Sequence, residues 1–121
     1  MATVRYLVDD VDAAVNFYTG LLGFDLEDHM GPPFAMVSYG DLQLWLSGPR
    51  SSAAKATPDG RQPVAGGWNR LVIEVRDIEP VVSRLLAANV TFRNSIVSGP
   101  GGSQVVCEDP SGNLVEIFQP K

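Results

Sequence analysis

Near the end of the chain, the stretch "DPSGNLVEIFQ" (109–119) sets a carboxylate, Glu116, between apolar neighbours. Asp109-Pro110-Ser111-Gly112 forms a turn, because Pro fixes φ and Gly accepts φ > 0. Asn113 to Phe118 then has the apolar, partly β-branched composition of a strand. Three tasks suit a carboxylate in that setting: neutralising a neighbouring cation, recognising a ligand, or moving a proton as a general base. Two other strand-like stretches also carry charge: Arg5 in "VRYLV" (4–8), and Arg70 and Glu74 in "RLVIEV" (70–75). Side chains alternate along a strand, so Arg70, Val72 and Glu74 share one side, as do Thr3, Arg5 and Leu7. The opposite parity is apolar (Val4, Tyr6, Val8; Leu71, Ile73, Val75) and suits helix packing.

The elements that position these residues form one pattern written twice. After the first strand, Asp10 is a helix N-cap, followed by Val11, Ala14, Val15, Tyr18 and Leu21/Leu22 at helical spacing, with Gly23 as the stop. A short strand near Phe24–Glu27 and a Gly31-Pro32-Pro33 loop come next. Strands over 34–39 and 42–47 are joined at Gly40-Asp41, a tight hairpin signal. The second pass runs from Arg70 through a helix capped by Asp77, with Ile78, Val81, Val82, Leu85 and Leu86 on its apolar face. Pro80 is tolerated in its first turn, where backbone N–H groups lack helical partners. Strands at Val90–Phe92, Gln104–Glu108 and Asn113–Phe118 complete a second β-α-β-β-β unit. The expected organisation is a first module over 1–48, a Ser/Ala/Pro/Gly-rich linker or lid over 49–67, and a second module over 68–121.

Composition narrows the function classes. The 121 residues are 45% hydrophobic and 19% charged, which fits one globular domain and argues against disorder. A net charge of −5 with nine scattered Lys and Arg argues against nucleic-acid binding. No apolar run approaches the ~20 residues of a membrane helix, and no export signal is visible after Met1. With a single cysteine, Cys107, these features point to the cytoplasm. Cys107 has the context of a small apolar strand residue, His29 of a surface loop residue, and Phe17 and Tyr18 of core residues. Trp68, in "GGWNR", could line the mouth of a binding site.

Four stretches carry a family resemblance: "VDDVDAAVNFYTGLLGF" (8–24), "YGDLQLWLS" (39–47), "IEVRDIE" (73–79) and "EDPSGNLVEIFQP" (108–120). In this order, on a doubled βαβββ pattern, they resemble the vicinal oxygen chelate superfamily of glyoxalase I, bleomycin-resistance proteins and extradiol dioxygenases. The resemblance implies an α+β fold in which two tandem βαβββ modules form curved mixed sheets around a cleft. In metal-dependent members, four side chains hold a divalent ion, one from the first and one from the last strand of each module. Glu116 matches the fourth position. Counting from the matched motifs places the others at Thr3, Leu44 and Arg70. Leu offers no lone pair and Arg none at ordinary pH, so the resemblance implies no metal and no cofactor here.

In place of an ion, Arg70 is expected to pair with Glu116, and Arg5 with Glu74. Leu42, Leu44, Leu46, Leu114 and Phe118 are placed on the same side, with Trp45 under a helix. The expected ligand-binding set is Arg5, Leu44, Trp68, Arg70, Glu74, Glu116 and Phe118, with Glu116 the one catalytic candidate. Resemblance to the bleomycin-resistance branch implies a homodimer that sequesters a small, largely apolar drug or natural product. The alternatives are a metal-dependent lyase or isomerase of glyoxalase I type, and a metal-independent enzyme using Glu116 as general base.

Overall fold

The computed structural model describes residues 2–121; Met1, where the first module was expected to begin, lies outside them. The chain divides into two compact units, one ending at Gly66 and one spanning Gly67–Lys121. Each repeats the same element order.

In the first unit, β1 (Val4–Leu7) leads into α1 (Val11–Val15), followed by β2 (Asp25–His29), β3 (Phe34–Tyr39) and β4 (Leu42–Ser47). The sheet order is β1-β4-β3-β2, with β1 parallel to β4 and the remaining pairs antiparallel. Asp10 starts the helix, its carboxylate accepting from the Ala13 N–H at 3.1 Å. After Val15 the helix widens into a π-helix over Asn16–Leu21, with the Thr19 hydroxyl donating to the Val15 carbonyl at 2.7 Å. This turn buries the adjacent Phe17 and Tyr18 together. Tyr18 stacks edge-on against Phe24, which meets Tyr39 of β3. These ring contacts put the helix on the sheet face of Tyr39, Val37, Ala35, Leu44 and Leu46.

In the second unit, β5 (Arg70–Glu74), α2 (Ile78–Ala87), β6 (Val97–Gly99), β7 (Gly102–Glu108) and β8 (Leu114–Pro120) form a sheet ordered β5-β8-β7-β6. Asp77 occupies the N-cap position but makes no capping bond with its side chain. The Ile78 N–H is instead satisfied at 2.8 Å by Oε1 of Gln119, reaching from β8. That bond fixes α2 on the face of Gln119, Ile117 and Val115, over Leu71, Ile73, Val105 and Cys107, which are all buried. The helix ends in a Schellman arrangement: Asn89 takes φ 63°, the Val90 N–H donates to Leu85, and the Asn89 N–H donates to Leu86.

One strand expectation and the reading of the linker both shift. The sheet neighbour of β7 is 97–99 rather than Val90–Phe92, where only Phe92 bridges to Cys107. The 91–94 segment still docks on β7, through Glu108 N–H to the Thr91 carbonyl and Arg93 N–H to the Val106 carbonyl. Its ladder stops where Oδ1 of Asn94, rather than a backbone carbonyl, accepts from the Val106 N–H at 2.9 Å. The 49–67 stretch is also more than a spacer. It contains a 3₁₀ turn at Ser52–Ala54, a Thr57–Arg61 backbone turn, and a 2.7 Å bond from the Gln62 amide to the Ala54 carbonyl.

Candidate functional site

Each sheet has one face under its helix and one face away from it, and the functional side chains lie on the second. In the second unit, direct strand partners share a face, so the register Arg70↔Leu114, Val72↔Glu116 and Glu74↔Phe118 groups these six residues. Nε of Arg70 donates to Oε1 of Glu116 at 3.0 Å. Arg70 is 29% exposed at its side chain and Glu116 only 10%. The carboxylate of Glu116 thus sits on an inner strand with a guanidinium at hydrogen-bond distance. Glu74 is exposed and Phe118 is half-buried on the same face. At the rim, Arg93 donates from Nε to Glu108 at 2.6 Å and lies over the Trp68 ring, 5.0 Å from its centroid. Trp68 itself is 70% exposed.

In the first unit, the counterpart of Glu116 is not Leu44. The Val8 N–H donates to the Ser47 carbonyl, and the Val75 N–H donates to the Phe118 carbonyl. These equivalent bonds align Ser47 with Phe118 and therefore Trp45 with Glu116. Leu44 and Leu46 lie under α1 with no exposed surface, and Leu42 shares their parity, so all three are removed from the ligand-facing set. Trp45, expected under a helix, stands on the other face opposite Arg5. The cause is turn length. Tyr39 pairs with Leu42 across two residues, whereas Glu108 pairs with Leu114 across five, so counting from Gly40 and Gly112 slips by one. In a strand, a slip of one residue exchanges the faces.

Arg5 has partners other than the expected Glu74. Its guanidinium lies over the Trp45 ring, 5.0 Å from the centroid, and donates from Nη1 to Oγ of Ser47 at 2.9 Å. Phe34 packs edge-on against Trp45. Sequence reading missed Trp45 and Ser47 as site residues, although the hydrogen-bonded strand ends would have corrected the count.

The structure also shows how poorly the implied metal positions suit an ion. They hold Thr3, Trp45, Arg70 and Glu116. The indole N–H is a donor only, the guanidinium is a fixed cation, and the one carboxylate is already bonded to it. Among the described residues, no cluster of three His, Cys, Asp or Glu could hold an ion. Cys107 offers no nucleophile: burial, helped by the negative charge of Asp109, pushes its thiol up to about 12. His29 ends β2 with Nε2 3.0 Å from Asp12, away from these groups in sequence and in its contacts.

A family model described as the Glyoxalase/Bleomycin resistance protein/Dioxygenase superfamily matches residues 1–117. Among solved structures, lactoylglutathione lyase from Agrobacterium tumefaciens is similar with a TM-score of 0.75 and 22% identity, over 98% of this chain and 92% of that one. TnmS3, an antibiotic binding protein from Streptomyces sp. CB03234, gives a TM-score of 0.70 and 23% identity, over 100% and 97%. A superfamily member from Sphaerobacter thermophilus DSM 20745 gives a TM-score of 0.73 and 25% identity, over 98% and 97%. No curated protein matches the sequence. The doubled βαβββ order, the two four-stranded mixed sheets and the near-complete family match together make this chain a member of the glyoxalase/bleomycin resistance protein/dioxygenase superfamily, with its α+β fold.

Proposed function

We propose that this chain is a metal-independent binding protein that holds a small, largely apolar molecule against a helix-free sheet face, in the manner of drug or natural-product sequestration. The observation that carries this reading is the 3.0 Å Arg70–Glu116 bond, a salt link at the position where a metal-dependent relative would place a donor. On the first unit, an indole stands at the equivalent position. On the second unit, Val72, Phe118 and Trp68 supply apolar and aromatic surface and Arg70, Glu74 and Glu116 a few orienting groups; on the first unit, Phe34 and Trp45 supply the surface and Arg5 the orienting group, in each case the usual make-up of a small-molecule site. The antibiotic binding protein among the structural neighbours is in keeping with this reading. A reaction of lyase type through a metal finds no donor set here, and Glu116 as a general base would first have to leave Arg70.

The working form is proposed to be a cytoplasmic homodimer. Edge strands β1 and β5, each paired on one side only, favour association with a second chain. No helix among the described residues is long and apolar enough to cross a membrane.

The test uses 2-naphthamide as a neutral aromatic probe. Calorimetric titration should show saturable binding that weakens in Trp45→Ala, and chromatography with mass detection should recover the probe unchanged after long incubation. No saturable binding, or a chemically altered probe, would overturn the reading.

A further inference from the structure

The arginines on the helix-free faces are not equivalent. Arg70 is neutralised by Glu116 at 3.0 Å and Arg93 by Glu108 at 2.6 Å. Arg5 is exposed, and no carboxylate pairs with it among the described residues, although the chain as a whole carries a net charge of −5. Its two contacts, the Trp45 ring and the Ser47 hydroxyl, hold the guanidinium in place without cancelling its charge. Ser47 is fully buried, so the bond to it anchors Arg5 on one side and leaves its remaining N–H groups for another acceptor.

Trp45 adds a second donor. Its Nε1–H is buried and has no acceptor among the described residues. Buried donors are nearly always satisfied, by protein, by water or by a bound molecule. The same three-residue cluster therefore combines an unneutralised cation, an unsatisfied indole donor and the aromatic surface of Trp45 and Phe34.

We propose that Arg5, Ser47 and Trp45 form the recognition end of the site for an aromatic anion. The ligand's carboxylate or phenolate accepts from Arg5, and its ring lies along Trp45 and Phe34. The inference rests on the binding function proposed above and adds the ligand's charge class and the residues that read it. Charge-assisted bonds of this kind are directional, and Arg holds its charge throughout the accessible pH range.

The test compares 2-naphthoate with its neutral isostere 2-naphthamide by calorimetry, using the full chain. Wild type should bind the naphthoate more tightly by on the order of tenfold to a hundredfold, the equivalent of a charge-assisted hydrogen bond, and added salt should shrink that preference. Arg5→Gln should abolish the preference, so that the two probes bind alike; Arg5→Lys should restore part of it. As a site-specific readout, the Trp45 indole N–H signal in nitrogen–proton spectra, assigned with Trp45→Phe, should shift on adding naphthoate. Equal binding of both probes, or a naphthoate preference that survives Arg5→Gln, overturns this inference and leaves the binding function standing. Failure of both probes to bind removes the two together.

Discussion

Removing the positive half of the Arg70–Glu116 pair should be far more damaging than removing both halves. The Glu116 side chain is 10% exposed on an inner strand of its sheet, with its carboxylate 3.0 Å from Nε of Arg70. In Arg70→Met the methionine keeps much of the arginine's stem volume but leaves the carboxylate without its cation. Breaking a fully buried pair costs about 3–5 kcal/mol. Because Arg70 is 29% exposed, water can partly replace it, so we expect about 2–3 kcal/mol. Glu116→Gln leaves the more exposed guanidinium unpaired and should cost only about 1 kcal/mol. The double variant Arg70→Met/Glu116→Leu should return to within about 1 kcal/mol of wild type, because an apolar pair of similar volume carries no desolvation cost. For a chain of this length 1 kcal/mol moves Tm by about 4 °C, so Arg70→Met should melt about 8–12 °C lower. The Glu116→Leu single variant closes the cycle, and urea melts of wild type, Arg70→Met, Glu116→Leu and the double variant at neutral pH give the coupling energy directly. Additive single effects, or an Arg70→Met variant within about 0.5 kcal/mol of wild type, would refute the placement of a desolvated ion pair at this position.

Other outcomes follow from the packing of the second unit. Gly102 has φ 147°, and a Cβ there would overlap the carbonyl oxygen of Gln119 on the neighbouring strand, so Gly102→Ala should lose about 2–4 kcal/mol in a denaturant melt. Asp109 is buried and accepts from the Ser111 and Asn113 backbone N–H groups at 2.9 Å and from the Asn113 amide at 3.1 Å. Asp109→Ala should accordingly cost about 2–4 kcal/mol by the same assay, with Asp109→Asn recovering part of it. The Cys107 thiol should resist a water-soluble disulfide reagent in the native protein and react at once in denaturant. Its raised folded value also means that its contribution to stability is complete below pH 9 and fades as pH climbs from 9 towards 12. Near pH 10.5 wild type should therefore have lost about 1–2 kcal/mol more than Cys107→Ala, each compared with its own value at pH 8.

Much of this arrangement was legible in the chain. The period-2 pattern of "RLVIEV" fixed which residues lie under α2, and the Pro-Ser-Gly turn put Glu116 in register with β5, so the Arg70–Glu116 bond could be anticipated. The first sheet was misread by one residue because two turns with matching glycines have different lengths, and only the paired strand ends reveal that difference. That single residue moved Leu44 under the helix and brought Trp45 out beside Arg5. The start of α2 at Ile78, after Asp77, is legible, but the bond that satisfies its first N–H is not: it comes from Gln119, about forty residues later in the chain, and no local capping signal encodes so distant a bond. Val90–Phe92 has strong strand composition, yet the Asn94 side chain displaces the backbone acceptor that a continuing ladder would need. Asp109 is legible as a turn residue, but its burial depends on the packing of the whole β7–β8 end.

An arginine–glutamate pair and an indole stand at positions that the family resemblance assigns to ion donors. Elemental analysis of the chain purified without chelators, then dialysed with nickel, zinc, iron or manganese and re-measured, tests this most directly. Only trace metal should be found in both states, with Arg70→His no better loaded than wild type, since Trp45 still stands at the equivalent place in the first sheet. Retention of a divalent ion approaching one per chain, lost on Glu116→Ala, would contradict it.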